Sequence, residues 1–265
     1  MARLSAPRQL SDHLYVIYSE FPHSHSGNVY LITGRVPTLI DCGSRRAVPQ
    51  IRHNLAALGM DVTDIVQVLA THGDFDHTQG FHDLVAANPD LWLYLHPADW
   101  PLVQQADPYR NAAYLYSDPF APIASELIRP LDEDEPVAAG DGELAVIHTP
   151  GHTEGSVCFW GEIDGRQVLF AGDTIGGSMR SLRGADLALW AKAMLSWEES
   201  LKRISLLDID WILDGHEPVH GLPLTRERLD RSIASFGKML NPWFTLNDTS
   251  EDDAEPVPAA VWNVG

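Results

Sequence analysis

His72, Asp74, Asp76, His77, His152, Asp173 and His216, seven candidate metal-binding side chains, fall into four short segments of this 265-residue chain. The first segment is Thr71-His72-Gly73-Asp74-Phe75-Asp76-His77, directly after the apolar run 65–70. Alternation along an extended backbone would send His72, Asp74 and Asp76 to one side, and a turn must then bring His77 round. The other segments are Thr149-Pro150-Gly151-His152-Thr153-Glu154-Gly155-Ser156, Phe170-Ala171-Gly172-Asp173-Thr174 and Leu213-Asp214-Gly215-His216. Each has an apolar run, then a glycine, then one metal-competent side chain at the mouth of a sheet, where loops carry function on a rigid frame. Imidazole nitrogens and carboxylate oxygens suit zinc, iron or manganese. Packing alone is a poor account of such a set, because charged groups are seldom buried unless they are paired or bind metal. The predicted cofactor is two neighbouring divalent ions, zinc first, with iron or manganese as the other options.

The elements that must position these residues are legible from pattern. Runs 14–18, 28–33, 38–41, 65–70, 91–96, 144–148, 157–163, 167–171 and 211–213 are rich in β-branched, aromatic and apolar residues and bounded by Gly, Pro or polar clusters, which predicts strands. Asp164-Gly165 predicts a tight hairpin between two of them. Helices are expected over 47–58, 79–87, 186–207 and 225–240; in the third, Leu187, Trp190, Met194, Trp197, Leu201 and Ile204 form one apolar stripe, read as core. The stretch 97–140 is proline-rich and less regular, and reads as an inserted, partly helical segment within a single domain spanning 1–245. The tail, 246–265, reads as flexible.

Composition narrows the partners. Acidic residues outnumber basic ones 37 to 18, for a net charge of -19. Such a surface repels a phosphate backbone, so a small-molecule substrate is expected rather than nucleic acid. No run approaches the roughly 20 apolar residues that span a bilayer, and no signal-peptide pattern opens the chain. Cytoplasmic residence without membrane association is the expectation, and oligomeric state is left open. The two cysteines, Cys42 and Cys158, read as reduced, buried thiols.

The order of the four segments resembles the metallo-β-lactamase superfamily, whose members carry a His-x-His-x-Asp-His cluster followed by separate His, Asp and His ligands. The resemblance runs from about residue 14 to residue 221, and the Gly-His-Thr and Gly-Asp-Thr segments look most like glyoxalase II and lactonase-type hydrolases. It implies an α/β fold: a four-layer αβ/βα sandwich of two mixed β-sheets flanked by helices, with metals at one edge. Carried over by position, it assigns His72, Asp74 and His152 to one ion, Asp76, His77 and His216 to the other, and Asp173 to the bridge. It also implies a hydroxide held by the ions as nucleophile, with Asp76 as the catalytic residue that orients it, cleaving a small ester, thioester or lactone.

One position departs from that pattern, because Asp74 stands where the family's second His is expected. The ligand set becomes one charge more negative and harder. Asp74 binding with better tolerance of iron or manganese, Asp74 binding weakly, and loss of the first site are all open. Related diiron flavoproteins of this fold carry Glu there, so a diiron oxygen- or NO-binding redox protein is the alternative reading, with a non-catalytic metal sensor behind it. Several roles stay open beside these. Asp41 ends a strand and either bonds a ligand histidine or simply turns the chain, and Thr71 is a similar candidate. His23, His25 and His220 either border the site or lie in solvated loops and turns. His13, His53, His82 and His96 are read as structural or exposed. Trp100, Tyr109, Tyr114, Tyr116 and Phe120 form either a lid over the pocket or a packing element.

Overall fold

A computed structural model describes residues 5–19, 26–105, 110–113, 120–175 and 187–236. The first sheet has seven strands in sequential order: β1 (Arg8–Gln9), β2 (Leu14–Tyr18), β3 (Val29–Ile32), β4 (Thr38–Ile40), β5 (Gln67–Leu69), β6 (Trp92–Leu95) and β7 (Ile128–Pro130). It is antiparallel from β1 to β4 and parallel from β4 to β7. The second sheet has five strands in the order β12-β11-β10-β9-β8. These are β8 (Val137–Ala139), β9 (Gly142–His148), β10 (Val157–Ile163), β11 (Arg166–Gly172) and β12 (Trp211–Asp214), with β11 and β12 parallel and the rest antiparallel.

Alternation along the strands builds the layers. On the first sheet Tyr30, Ile32, Ile40 and Leu69 join a core with Leu144, Val146, Phe159, Val168 and Ile212 of the second. Their neighbours Val29, Leu31, Leu39 and Val68 join a second core with helices α1 (Val48–Ala57) and α3 (Phe81–Ala87) through Ile51, Leu55, Phe81 and Leu84. Period-two side chains on strands with both faces covered give this sorting. On the far side of the second sheet, α5 (Leu187–Ile204) buries Trp197, Leu201 and Ile204, and α6 (Arg226–Phe236) buries Leu229. The result is the expected αβ/βα sandwich. Two further helices are short: α2 (Phe75–Thr78) and α4 (Trp100–Gln104).

The structure differs from expectation in specific places. Within the stretch read as an insertion, β7 extends the first sheet beside β6 and β8 extends the second beside β9. Each run is only three residues long and one holds a proline, tolerable at a sheet edge, so neither carries enough pattern to be seen. The helix expected over 79–87 starts at Phe81, and the turn before it is the separate α2. Trp100 packs against the core of the first sheet and donates its indole N–H to the Leu95 carbonyl at 3.0 Å, which removes it from a lid role. Phe120 packs with Phe75, Ala112 and Ala113. Tyr109, Tyr114, Tyr116, His23, His25 and the tail lie outside the described residues, as do the side chains of Leu187 and Trp190. Both cysteines are buried free thiols, and burial raises each thiol pKa, that of Cys158 to about 11. Among the described residues no helix is long and apolar enough to cross a membrane.

Candidate metal centre

All four segments arrive at one edge of the sandwich because each follows a strand end. β5 delivers His72, β9 leads to His152, β11 to Asp173 and β12 to His216. Backbone bonds tie the loops together there: Val157 N donates to Thr71 O at 2.8 Å, Gly215 N to Gly172 O at 2.8 Å, and Asn28 N to Gly215 O at 2.7 Å. The loops that hold the site are therefore tied to one another by backbone hydrogen bonds.

Two groups of side chains could each hold an ion. His72, His152 and Asp173 form one; Asp76, His77 and His216 form the other; within each group the donor atoms lie within 4.8 Å of one another. Asp173 joins them: Oδ2 is 3.4 Å from His152 Nε2 and 3.3 Å from His216 Nε2, and Oδ1 is 3.5 Å from His77 Nε2. Asp76 Oδ2 is 3.5 Å from His216 Nε2. Asp74 Oδ2 is 3.2 Å from His152 Nε2 and 3.8 Å from His72 Nε2, so it borders the first group. Asp76 does not lie on an extended segment, as alternation suggested, while His77 is brought round by a turn, as expected. They sit in the single helical turn α2, and that turn lets two adjacent residues face the same group.

The surroundings fix how the rings point. Asp41 Oδ2 is 2.8 Å from His77 Nδ1 and 2.9 Å from the Thr71 hydroxyl, while Oδ1 accepts from Thr71 N at 2.7 Å. Thr71 Oγ1 lies 3.0 Å from His72 Nδ1. With Thr71 donating to Asp41, His72 Nδ1–H donates to Thr71 and His77 Nδ1–H to Asp41. Both Nε2 atoms then face the centre, the arrangement that metal-binding histidines use, and at His77 an ion would displace the proton that the metal-free ring carries. Asp41 thus contacts a candidate ligand rather than only turning the chain. It does so from φ 57, a left-handed conformation rare outside glycine that is held where surrounding structure dictates it. Asp214 Oδ1 accepts from Glu217 N at 2.8 Å and shapes the turn that presents His216.

The electrostatics fit a dication pair. Asp41, Asp74, Asp76 and Asp173 are buried together, a charge of up to four that two divalent ions would balance. Burial lowers the His77 pKa, but Asp41 and Asp173 outweigh it and raise the group to about 10. Burial raises Asp173, yet His216, His152 and His77 hold it well below the usual carboxylate range. Burial and the neighbouring His77 and His152 rings drive His72 well below the usual imidazole value, and His72 Nε2 is a buried nitrogen without a hydrogen-bond partner. A neutral imidazole with a free lone pair among carboxylates is what a cation needs.

The other histidines fall elsewhere. His13 Nδ1 pairs with Asp164 at 2.6 Å on the surface, His53 is exposed, His82 Nε2 bonds the Ala121 carbonyl at 2.9 Å, and His96 stacks on His148. His220 is exposed in a short 3-10 turn. One residue escaped the sequence reading altogether: Asp99, buried beneath the first group, accepts hydrogen bonds from both the 72–74 and 152–155 loops. A lone Asp in His96-Pro97-Ala98-Asp99 carries no spacing signal.

A sandwich of two mixed sheets with a buried double His/Asp group at one edge defines a metallohydrolase class. The profile of the metallo-beta-lactamase superfamily matches residues 25–216, and the chain belongs to that superfamily. The probable metallo-hydrolase YqjP of Bacillus subtilis is 25% identical over 238 residues, 77% of this chain and 71% of that one. An atrochrysone carboxyl ACP thioesterase of Passalora fulva is 32% identical over 154 residues, 57% of this chain; the match spans only 38% of the relative. Among solved structures, BJP-1, a subclass B3 metallo-beta-lactamase of Bradyrhizobium japonicum, has a TM-score of 0.64 at 23% identity, over 92% of this chain and 89% of that one, a likeness of fold. The protein is accordingly a hydrolase of this superfamily.

Proposed function

We propose that the chain is a two-metal hydrolase that cleaves a small ester, thioester or lactone, with a thioester favoured. The observation that carries this is the bridging position of Asp173 between the two His/Asp groups. The thioesterase name of the Passalora fulva relative supports the leaving group. His72, Asp74 and His152 would hold one ion, Asp76, His77 and His216 the other, and Asp173 both. When bound, such ions polarise a carbonyl and make hydroxide available near neutral pH. The chain's own part is positional. His77 and His72 keep their rings aimed through Asp41 and Thr71. Asp76, buried beside His216, would orient the attacking water. The acyl–sulfur or acyl–oxygen bond breaks, the water oxygen bonds to the acyl carbon, and its protons end on the leaving group and solvent.

The test is a panel of thioesters, esters and lactones assayed with zinc-loaded, chelator-stripped and reloaded protein. Hydrolysis that disappears on stripping and returns on reloading is expected. A blank panel from protein holding two ions would sink the proposal. A second reading rests on Asp74, whose carboxylate stands within reach of His72 and His152 and suits iron. Iron as purified, an oxygen-sensitive visible spectrum and no hydrolysis would favour a diiron redox protein.

Asp41→Ala removes the acceptor of the His77 ring. Loss of such an outer partner is expected to weaken zinc binding ~10- to 100-fold, read by competition with a fluorescent chelator. An affinity equal to that of the native protein would show that the ring is held by packing alone.

A further inference from the structure

We infer that Asp99 is the positioning residue that locks the His72–Asp74 loop to the His152 loop and so presets the geometry of the first metal group. This rests on the reading of His72, Asp74 and His152 as ligands.

Asp99 ends the 3-10 turn Pro97–Asp99 that follows β6, and it is 1% exposed. Its Oδ2 accepts from Gly73 N at 2.8 Å and from the Thr153 hydroxyl at 2.7 Å, and its Oδ1 accepts from Gly155 N at 2.7 Å. Gly73 lies between His72 and Asp74, and Thr153 follows His152. One carboxylate therefore grips the backbone between His72 and Asp74, the side chain next to His152 and the backbone three residues past it, on two loops some 80 positions apart in the chain that must meet at one ion. Thr153 extends the grip, since its hydroxyl also lies 2.7 Å from Ser156 Oγ.

The two loops are shaped to receive this group. A Cβ on Gly155 would stand 2.6 Å from Asp99 Cγ, and a Cβ on Gly73 would stand 3.1 Å from Asp99 Cβ and 2.9 Å from Leu102 Cβ. Glycine at both places lets the backbone N–H groups come close enough to donate. The side chain is also matched in kind. An ionised carboxylate is acceptor-only, and here it meets three donors. An amide in the same place would turn an N–H toward a donor and lose at least one bond. The three Asp99 bonds go to the loops of the first group, whereas His77 is held by Asp41 and His216 by the Asp214 turn. The predicted signature is therefore asymmetric.

The experiment is a zinc titration against a competing chelator on native protein, Asp99→Asn and Thr153→Val, with thermal melting of the metal-free forms. Asp99→Asn is expected to weaken one of two zinc affinities ~10- to 100-fold, as outer partners of ligands do, and to leave the other unchanged. Thr153→Val, which keeps the carboxylate and two of its donors, is expected to give a smaller loss at the same site. It also keeps the test alive if Asp99→Asn does not fold. Two intact affinities in Asp99→Asn would overturn the inference. So would an equal loss at both sites with a matching fall in metal-free melting temperature, which is what a merely structural role predicts. Native protein that binds fewer than two zinc ions would instead overturn the ligand reading on which the inference stands.

Discussion

Asp173→Ala is expected to abolish hydrolysis and to drop zinc content from two ions to fewer than one. The carboxylate meets His152 and His216 through one oxygen and His77 through the other. Its removal takes an oxygen from both groups at once and leaves their histidines to repel one another. The loss of activity should exceed the ~100-fold that deleting an outer partner costs. Elemental analysis and the thioester assay on the same sample read both effects. The metal-free protein supplies a control with an expected sign. Asp173 is held below its usual pKa in the folded state, against the pull of burial, by His216, His152 and His77. A depressed carboxylate stabilises the fold above its unfolded pKa of about 3.9 and ceases to do so as pH falls toward the folded value. The metal-free variant should therefore melt below the native protein at pH 7, with the gap narrowing in acid. Full activity with two ions bound would remove Asp173 from the bridge.

The sequence carried much of the architecture because strands covered on both faces read as dense apolar runs. Val29–Ile32, Val157–Ile163 and Arg166–Gly172 all lie inside expected runs or within a residue of them. The Asp164-Gly165 turn sits where expected, with both residues at positive φ. What did not show were elements whose stability comes from partners rather than from their own residues. β7 and β8 are three residues each, and pairing with β6 and β9 decides them. The helix α2 is a single turn, too short for periodicity to register, yet it decides how Asp76 and His77 face.

Ligand-type residues were visible for a related reason. Histidine and aspartate after a Gly at a strand end have few structural uses, so their identity betrays them. The groups that steer them were less visible. Asp41 could be suspected because it ends a strand, but its tie to His77 spans 36 positions and needs the folded chain. Asp99 and Asp214 look like ordinary turn residues, and only burial sets them apart, raising their pKa to about 6 and about 7. A single sequence shows which residues can do chemistry more readily than which ones hold them in place, because holding is a matter of contact, and contact has no local signature.

Asp74 is where that distinction can be put to measurement. The residue is fully buried, and its Oδ2 lies 3.2 Å from His152 Nε2 and 3.8 Å from His72 Nε2, on a side chain shorter and more negative than imidazole. Asp74→His replaces a hard anionic oxygen with a neutral nitrogen that zinc prefers to a carboxylate in competition with iron or manganese. Zinc at the first group is expected to be held at least about tenfold more tightly, about 1.4 kcal/mol, while the second group is unchanged. The longer ring must be accommodated in a packed place, and overpacking would lower metal-free stability, so Asp74→Asn serves beside it to remove the charge without adding bulk. Two zinc ions in the native protein, one of them held more weakly in Asp74→Asn, would establish Asp74 as a ligand. One ion in the native protein, rising to two in Asp74→His, would mean that this carboxylate disables the first group, and the chemistry would then have to run on Asp76, His77, His216 and a single ion.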